Sequence, residues 1–139
     1  MSEDDLYHQA ILDLAKSADG AGRLAAPDAT AEGDSPLCGD RVRMELKRDG
    51  ARILALAHEV KGCLLCRAAA AAIGRHAAGL DAAQAAAVRS QVAALLAGEK
   101  GKPDWPEIEA FSPVRAHRNR HGCVLLPFDT LLAALGRSG

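Results

Sequence analysis

Most of the chemistry open to this chain of 139 residues lies in four cysteines, Cys38, Cys63, Cys66 and Cys123. Cys38 stands in the stretch SPLCGDRVRMEL, with a carboxylate, Asp40, two residues later. Cys63 and Cys66 form a C-x2-C pair, and Cys123 follows a basic run holding His117, Arg118, Arg120 and His121. A cysteine is either an inert packing residue or is kept for its thiolate, the form that binds soft metals and acts as a nucleophile. Helix N-termini stabilise thiolates through the helix dipole and unpaired N–H groups. Cys63 and Cys123 both fall where helices should begin, so both are placed to ionise, and the cations before Cys123 add to the effect. His117 and His121 have H-x3-H spacing, which together with C-x2-C gives two half-sites of a structural zinc module.

The elements that must position these groups can be read from periodicity. Glu3 to Lys16 reads as a helix, with Leu6, Ala10, Ile11 and Leu14 on one side and Ser2 as N-cap. SADGAGRLAAPDATAEGDSP is small and turn-rich, a loop with one short strand around Ala29 to Glu32. From Arg41 to Lys47, Val42, Met44 and Leu46 alternate with charged residues, as in a half-buried strand. Asp49-Gly50 signals a hairpin. The returning strand, Ala51 to about Val60, is apolar on both faces from Ile53 to Ala57, which hides its register and admits a bulge.

After the hairpin the period changes to helical. CLLCRAAAAAIGRHAAG is an alanine-rich helix closed by Gly79, and DAAQAAAVRSQVAALLAG is a second, opened by an Asp81/Gln84 capping box and closed by Gly98. A polar excursion with three prolines follows, with a short helix near Glu107 to Phe111. CVLLPFDTLLAALG reads as a last amphipathic helix. Pro127 suits only a first turn, which sets the start at Cys123 or just after it. Strands followed by helices predict an α+β fold, a small antiparallel sheet with a β-hairpin packed against helices, in a single domain over residues 1–139.

Composition narrows the function classes. Hydrophobic residues make up 49% and charged residues 25%, values that argue for a globular core and against disorder. Aromatics are scarce, so that core must be built from Ala, Leu, Val and Ile. The net charge of −1 gives no global field toward nucleic acid or a membrane, and neither is expected as a partner. The N-terminus is acidic with no apolar stretch behind it, and Arg67, Arg75 and His76 interrupt the longest apolar run. A cytoplasmic location is expected, where grouped cysteines more often serve metals or catalysis than disulfides.

Taken in order, SPLCGDRVRMELKRDG, KGC and RHGCVLL resemble the IscU/NifU/SufU iron–sulfur cluster assembly scaffolds, and the resemblance begins as early as LYHQAILD. Its most specific part is P-x-C-G-D opening a strand, then a D-G hairpin, then G-C opening a helix, then a third cysteine near the C-terminus. The resemblance implies metal and cluster ligands at Cys38, Asp40, Cys63 and Cys123, for a transient [2Fe–2S] cluster or for zinc or iron in its absence. It implies a pyridoxal-phosphate cysteine desulfurase as the sulfur donor, Cys123 as the persulfide acceptor, and recipient apoproteins as further partners. Asp40 would be a weak ligand that keeps the cluster labile, as expected when a hard carboxylate replaces a soft thiolate. The implied role is that of a carrier rather than an enzyme, with a sulfurtransferase activity open.

The sequence also departs from the pattern. Gly122 stands immediately before the third cysteine, where the IscU branch has histidine, and His121 is one residue off. The L-P-P-V-K motif of that branch is absent, and Arg120 three residues ahead of Cys123 looks more like SufU. SufU proteins act as zinc-dependent sulfur acceptors, so that role stands as an alternative to the scaffold. Cys66 has no counterpart in the family; it is a spare ligand or a small core residue. The C-x2-C/H-x3-H zinc module is the alternative from another class, although it leaves Cys38 and Cys123 unexplained. A thioredoxin-like C-x-x-C lacks its surrounding βαβ pattern. RAHRNRH, without interleaved aromatics, suits a solvated basic segment that docks an acidic partner or tunes Cys123. His8, His58 and His76 read as surface or packing residues.

Overall fold

The computed structural model describes residues 3–35 and 39–136, with side chains from Tyr7 onward. Cys38, the Ser2 cap and the Leu6 side chain lie outside the described residues. In chain order the elements are α1 (Glu3–Ser17), β1 (Ala29–Ser35), β2 (Asp40–Asp49), β3 (Arg52–Lys61), α2 (Leu64–His76) and α3 (Ala82–Leu96). Two 3₁₀ segments, Pro106–Ala116 and Arg118–Arg120, lead into α4 (His121–Leu135).

The three strands form one antiparallel sheet in the order β1-β2-β3, and the fold is α+β as expected. The alternation in β2 does what its pattern predicts: Val42, Met44 and Leu46 are fully buried on the face toward the helices. The hairpin closes at Asp49 opposite Arg52, and Gly50 supplies the left-handed backbone with φ 63°. The bulge is present. Pairing shifts between Lys47 and Arg48, which leaves Leu54 unpaired, 57% exposed and clear of the core.

Four stretches differ from the sequence reading. β1 is longer than expected and pairs as far as Ser35 opposite Asp40. It packs closely on α4, for a Cβ on Gly33 would come within 2.4 Å of Thr130 Oγ1. The segment after α1 is not a free loop, since it covers the outer face of β2. The Leu24 amide donates to Glu45 (2.8 Å) and Lys47 Nζ to the Ala26 carbonyl (3.0 Å), so Glu45 is buried although the alternation pointed it outward. Alternation reports which face a residue is on, not what covers that face.

The third difference is in α4. The 3₁₀ turn Arg118–Arg120 runs straight into it, so the helix begins at His121 and Cys123 is its third residue. Pro127 therefore lies inside the helix rather than in its first turn. With no N–H, it cannot pair with the carbonyl of Cys123 four residues back. Its ring is fully buried, so packing compensates for the missing bond. The helix expected near Glu107 to Phe111 is a longer 3₁₀ segment that buries Ile108, Ala110, Phe111 and Val114.

The alanine-rich helix is the centre of the molecule. From Ala68 to Ile73 every residue of α2 is fully buried, and α1, β3, α4 and the long 3₁₀ segment all pack on it. Alanine lets neighbours approach from every side. At its end Gly74 allows the tightest approach, as a Cβ there would lie 1.9 Å from the Asp19 carbonyl oxygen. α3 starts as its sequence predicts, with Asp81 and Gln84 exchanging both bonds of the capping box (2.8 and 3.0 Å).

Candidate metal centre

Three elements begin at the same end of the molecule, and each contributes one group. Asp40 is the first residue of β2, Cys63 is the N-cap of α2, and Cys123 lies in the first turn of α4. A carboxylate oxygen of Asp40 and the sulfurs of Cys63 and Cys123 lie within 4.8 Å of one another. Asp40 and Cys123 are buried, and Cys63 is half-buried. The fourth expected member, Cys38, lies outside the described residues.

Asp40 is held by its neighbour. Its Oδ1 accepts the backbone N–H of Cys63 (2.9 Å) and its Oδ2 accepts the thiol (3.3 Å). The carboxylate thus satisfies an orphan donor at the start of α2. Gly39, with φ 71°, turns the chain into β2, and its amide donates to the Ser35 carbonyl (2.7 Å). Gly62 was missed as a functional position. A Cβ there would meet Asp40 Oδ1 at 2.4 Å, so only glycine lets the carboxylate sit against the Cys63 amide. The G-C dipeptide at the helix start carried that signal. A cleft of about 400 Å³, lined by Asp34, Ser35, Gly39, Asp40, Arg41 and Lys61, reaches the site at Asp40.

The donor set fits a metal ion. Sulfur and oxygen ligands about 2.0–2.3 Å from a tetrahedral ion sit roughly 3.5–4 Å apart, so small side-chain shifts bring these atoms to bonding distance. Two sulfurs with one oxygen suit zinc or iron better than calcium or magnesium. Cys123 acts as a ligand or nucleophile through its thiolate, so the reduced protein is the competent form.

The alternative zinc module is not assembled. Among the described residues, the group with metal-binding spacing is Asp40, Cys63 and Cys123, without Cys66, His117 or His121. Cys66 is fully buried, and burial, with Asp40 and Cys63 nearby, pushes its thiol up to about 12. His121 Nε2 faces the carbonyls of Val114 and Arg115 (3.1 and 3.2 Å), and His117 is exposed. Of the other histidines, His8 is exposed and His76 stacks on Trp105, ring centroids 4.6 Å apart, while pairing with Glu107. His58 is buried, its Nε2 donating to the Asp19 carbonyl (2.8 Å), and burial holds its pKa below the usual range.

Residues 6–110 match the model of the NifU-like N-terminal domain. The chain belongs to the NifU-like N-terminal domain family. Within and around this family, a Bacillus subtilis (strain 168) protein named zinc-dependent sulfurtransferase SufU is 28% identical over 130 residues, which cover 92% of this chain and 88% of that one. The crystal structure of a nitrogen-fixing NifU-like protein (N-terminal) from Brucella abortus superposes with a TM-score of 0.88 at 34% identity, covering 95% of this chain and 93% of that one. A Fervidobacterium islandicum AW-1 protein, assigned as an iron–sulfur cluster assembly scaffold for the SUF system, gives a TM-score of 0.83 at 25% identity, covering 96% and 99%. The NifU-like resemblance read from the ordered cysteine motifs is thereby established, and so is the sheet-and-helix sandwich it implied. No described helix is long and apolar enough to cross a membrane.

Proposed function

We propose that this NifU-like protein is a cytoplasmic iron–sulfur cluster assembly scaffold. Cys38, Asp40, Cys63 and Cys123 hold zinc or iron, and in turn a transient [2Fe–2S] cluster as cargo. The observation that carries the reading is the meeting of Asp40, Cys63 and Cys123 within 4.8 Å, brought together from three distant parts of the sequence. Each residue has a separable task. Cys63, fixed at the start of α2, supplies a sulfur whose proton now rests against Asp40 and is the one a metal ion displaces. Asp40 supplies a hard oxygen beside soft sulfurs, which weakens the hold on a cluster that has to leave for a recipient apoprotein.

Cys123 receives the sulfur. The reduced Cys123 thiolate attacks the outer sulfur of a persulfide on a pyridoxal-phosphate cysteine desulfurase. A sulfur–sulfur bond forms at Cys123, the one on the donor breaks, and the donor cysteine leaves as its thiolate. The second reading is a zinc-dependent persulfide acceptor that builds no cluster. Gly122 in place of the IscU-type histidine and the similarity to the zinc-dependent SufU protein favour it.

Anaerobic reconstitution of the reduced protein with iron and sulfide separates the two. A scaffold develops visible sulfur-to-iron charge-transfer absorption together with acid-labile sulfide. A zinc acceptor stays colourless yet gains sulfur on Cys123 when desulfurase and cysteine are added, as read by mass spectrometry. No added sulfur on Cys123 overturns both.

A further inference from the structure

Cys66 is the one cysteine that the proposed site does not use, and its position relative to Cys63 is specific. Cys63 is the N-cap of α2, with extended backbone (φ −73°, ψ 170°), and Cys66 is the third residue of the helix proper. Helix geometry places such residues about 5 Å apart at Cα, within the range of about 4.4–6.8 Å that a disulfide spans. Both are free thiols in this structure. Their exposure is unequal: Cys63 is half-buried, and Cys66 is fully enclosed. An external oxidant can therefore reach Cys63 alone, and Cys66 can act only on a sulfur already attached there.

We propose that Cys63 and Cys66 are a redox-closable dithiol, oxidised by low-molecular-weight disulfides to an intrahelical bridge that withdraws Cys63 from Asp40 and Cys123. The steps balance. The Cys63 sulfur attacks one sulfur of the external disulfide, forming a mixed disulfide and releasing one external thiol. The Cys66 sulfur then attacks Cys63, forming the bridge and releasing the second thiol. Two electrons pass to the external disulfide, and the two protein thiol protons end on the released thiols. Closure needs no metal. Its effect on a bound ion rests on the function proposed above, because it removes one ligand of that site.

The sequence provides a clean readout. Trypsin cuts after Lys61 and Arg67, so the peptide Gly62–Arg67 contains both cysteines and no other. The fully reduced, zinc-loaded protein is titrated with oxidised glutathione, alkylated, digested and weighed, and released zinc is followed in parallel. Closure predicts a Gly62–Arg67 peptide lighter by two hydrogens and bearing no alkyl label. In Cys66→Ala this closure is lost, and Cys63 is left as a glutathione adduct or joined to the Cys123 peptide. Persistence of that adduct in the wild-type protein, or Cys63 joined to another peptide, overturns the proposal. Zinc loss in step with closure supports both readings. Closure with zinc fully retained sustains the dithiol and removes Cys63 from the ligand set, so the two fail separately.

Discussion

Gly62 shows how a residue without a side chain can determine the chemistry of its neighbours. With any Cβ at this position Asp40 must leave the Cys63 amide, since the space between them is already taken. Gly62→Ala is expected to lower zinc stoichiometry markedly while the far-ultraviolet circular dichroism stays native, and Cys63→Ser to abolish it. Stoichiometric metal in either variant, measured by plasma emission after anaerobic purification, refutes the assignment. His58 sets a pH dependence. Its folded pKa lies below the unfolded value of about 6.5, so the unfolded chain binds the proton more readily. Full stability holds above that value and declines as pH falls below it toward the folded pKa. His58→Gln should flatten the melting temperature between about pH 7 and 5, a window in which the carboxylates remain ionised. The sequence exposed the sulfur-bearing positions, because cysteine at element edges is rare and ordered. It did not expose His58 or Glu45 as buried, because what buries them is a turn-rich segment with no periodicity to read.

Among the elements, those with local signals were legible and those shaped by tertiary contacts were not. The capping box of α3 was legible because both of its bonds lie within four residues, and Asp81→Ala should cost about 1 kcal/mol. That corresponds to a melting temperature lower by roughly 3–5 °C with metal content unchanged, measured by calorimetry. Accompanying metal loss would show that α3 is coupled to the site. The hairpin was legible for the same local reason. The start of α4 was not, because the rule that keeps proline in a first turn yields when its ring is fully enclosed by the core. β1 was underestimated since its pairing depends on Gly33 fitting under Thr130, a contact between residues nearly a hundred positions apart.

At the scale of the whole molecule, the candidate site exists only when β2, α2 and α4 have assembled, because each supplies one group from its first turn or first residue. Metal binding and folding are therefore linked. Zinc at about a hundred times its dissociation constant should add about 2.7 kcal/mol of stability to the reduced wild-type protein. Cys63→Ser should melt at the same temperature with and without zinc, and a zinc-induced rise in that variant would place the ion elsewhere. The overall topology was legible through the ordered motifs of the family, not through any single element.

The burial of α2 on every side has a mechanical consequence. A rod gripped by all its neighbours cannot tilt without loosening all of them, so Cys63, at its tip, is anchored to the stiffest part of the protein. That sulfur is thus a fixed post, and an arriving ion must fit itself to it. Amide exchange should be slowest from Ala68 to Ile73 and distinctly faster in the turn-rich segment after α1.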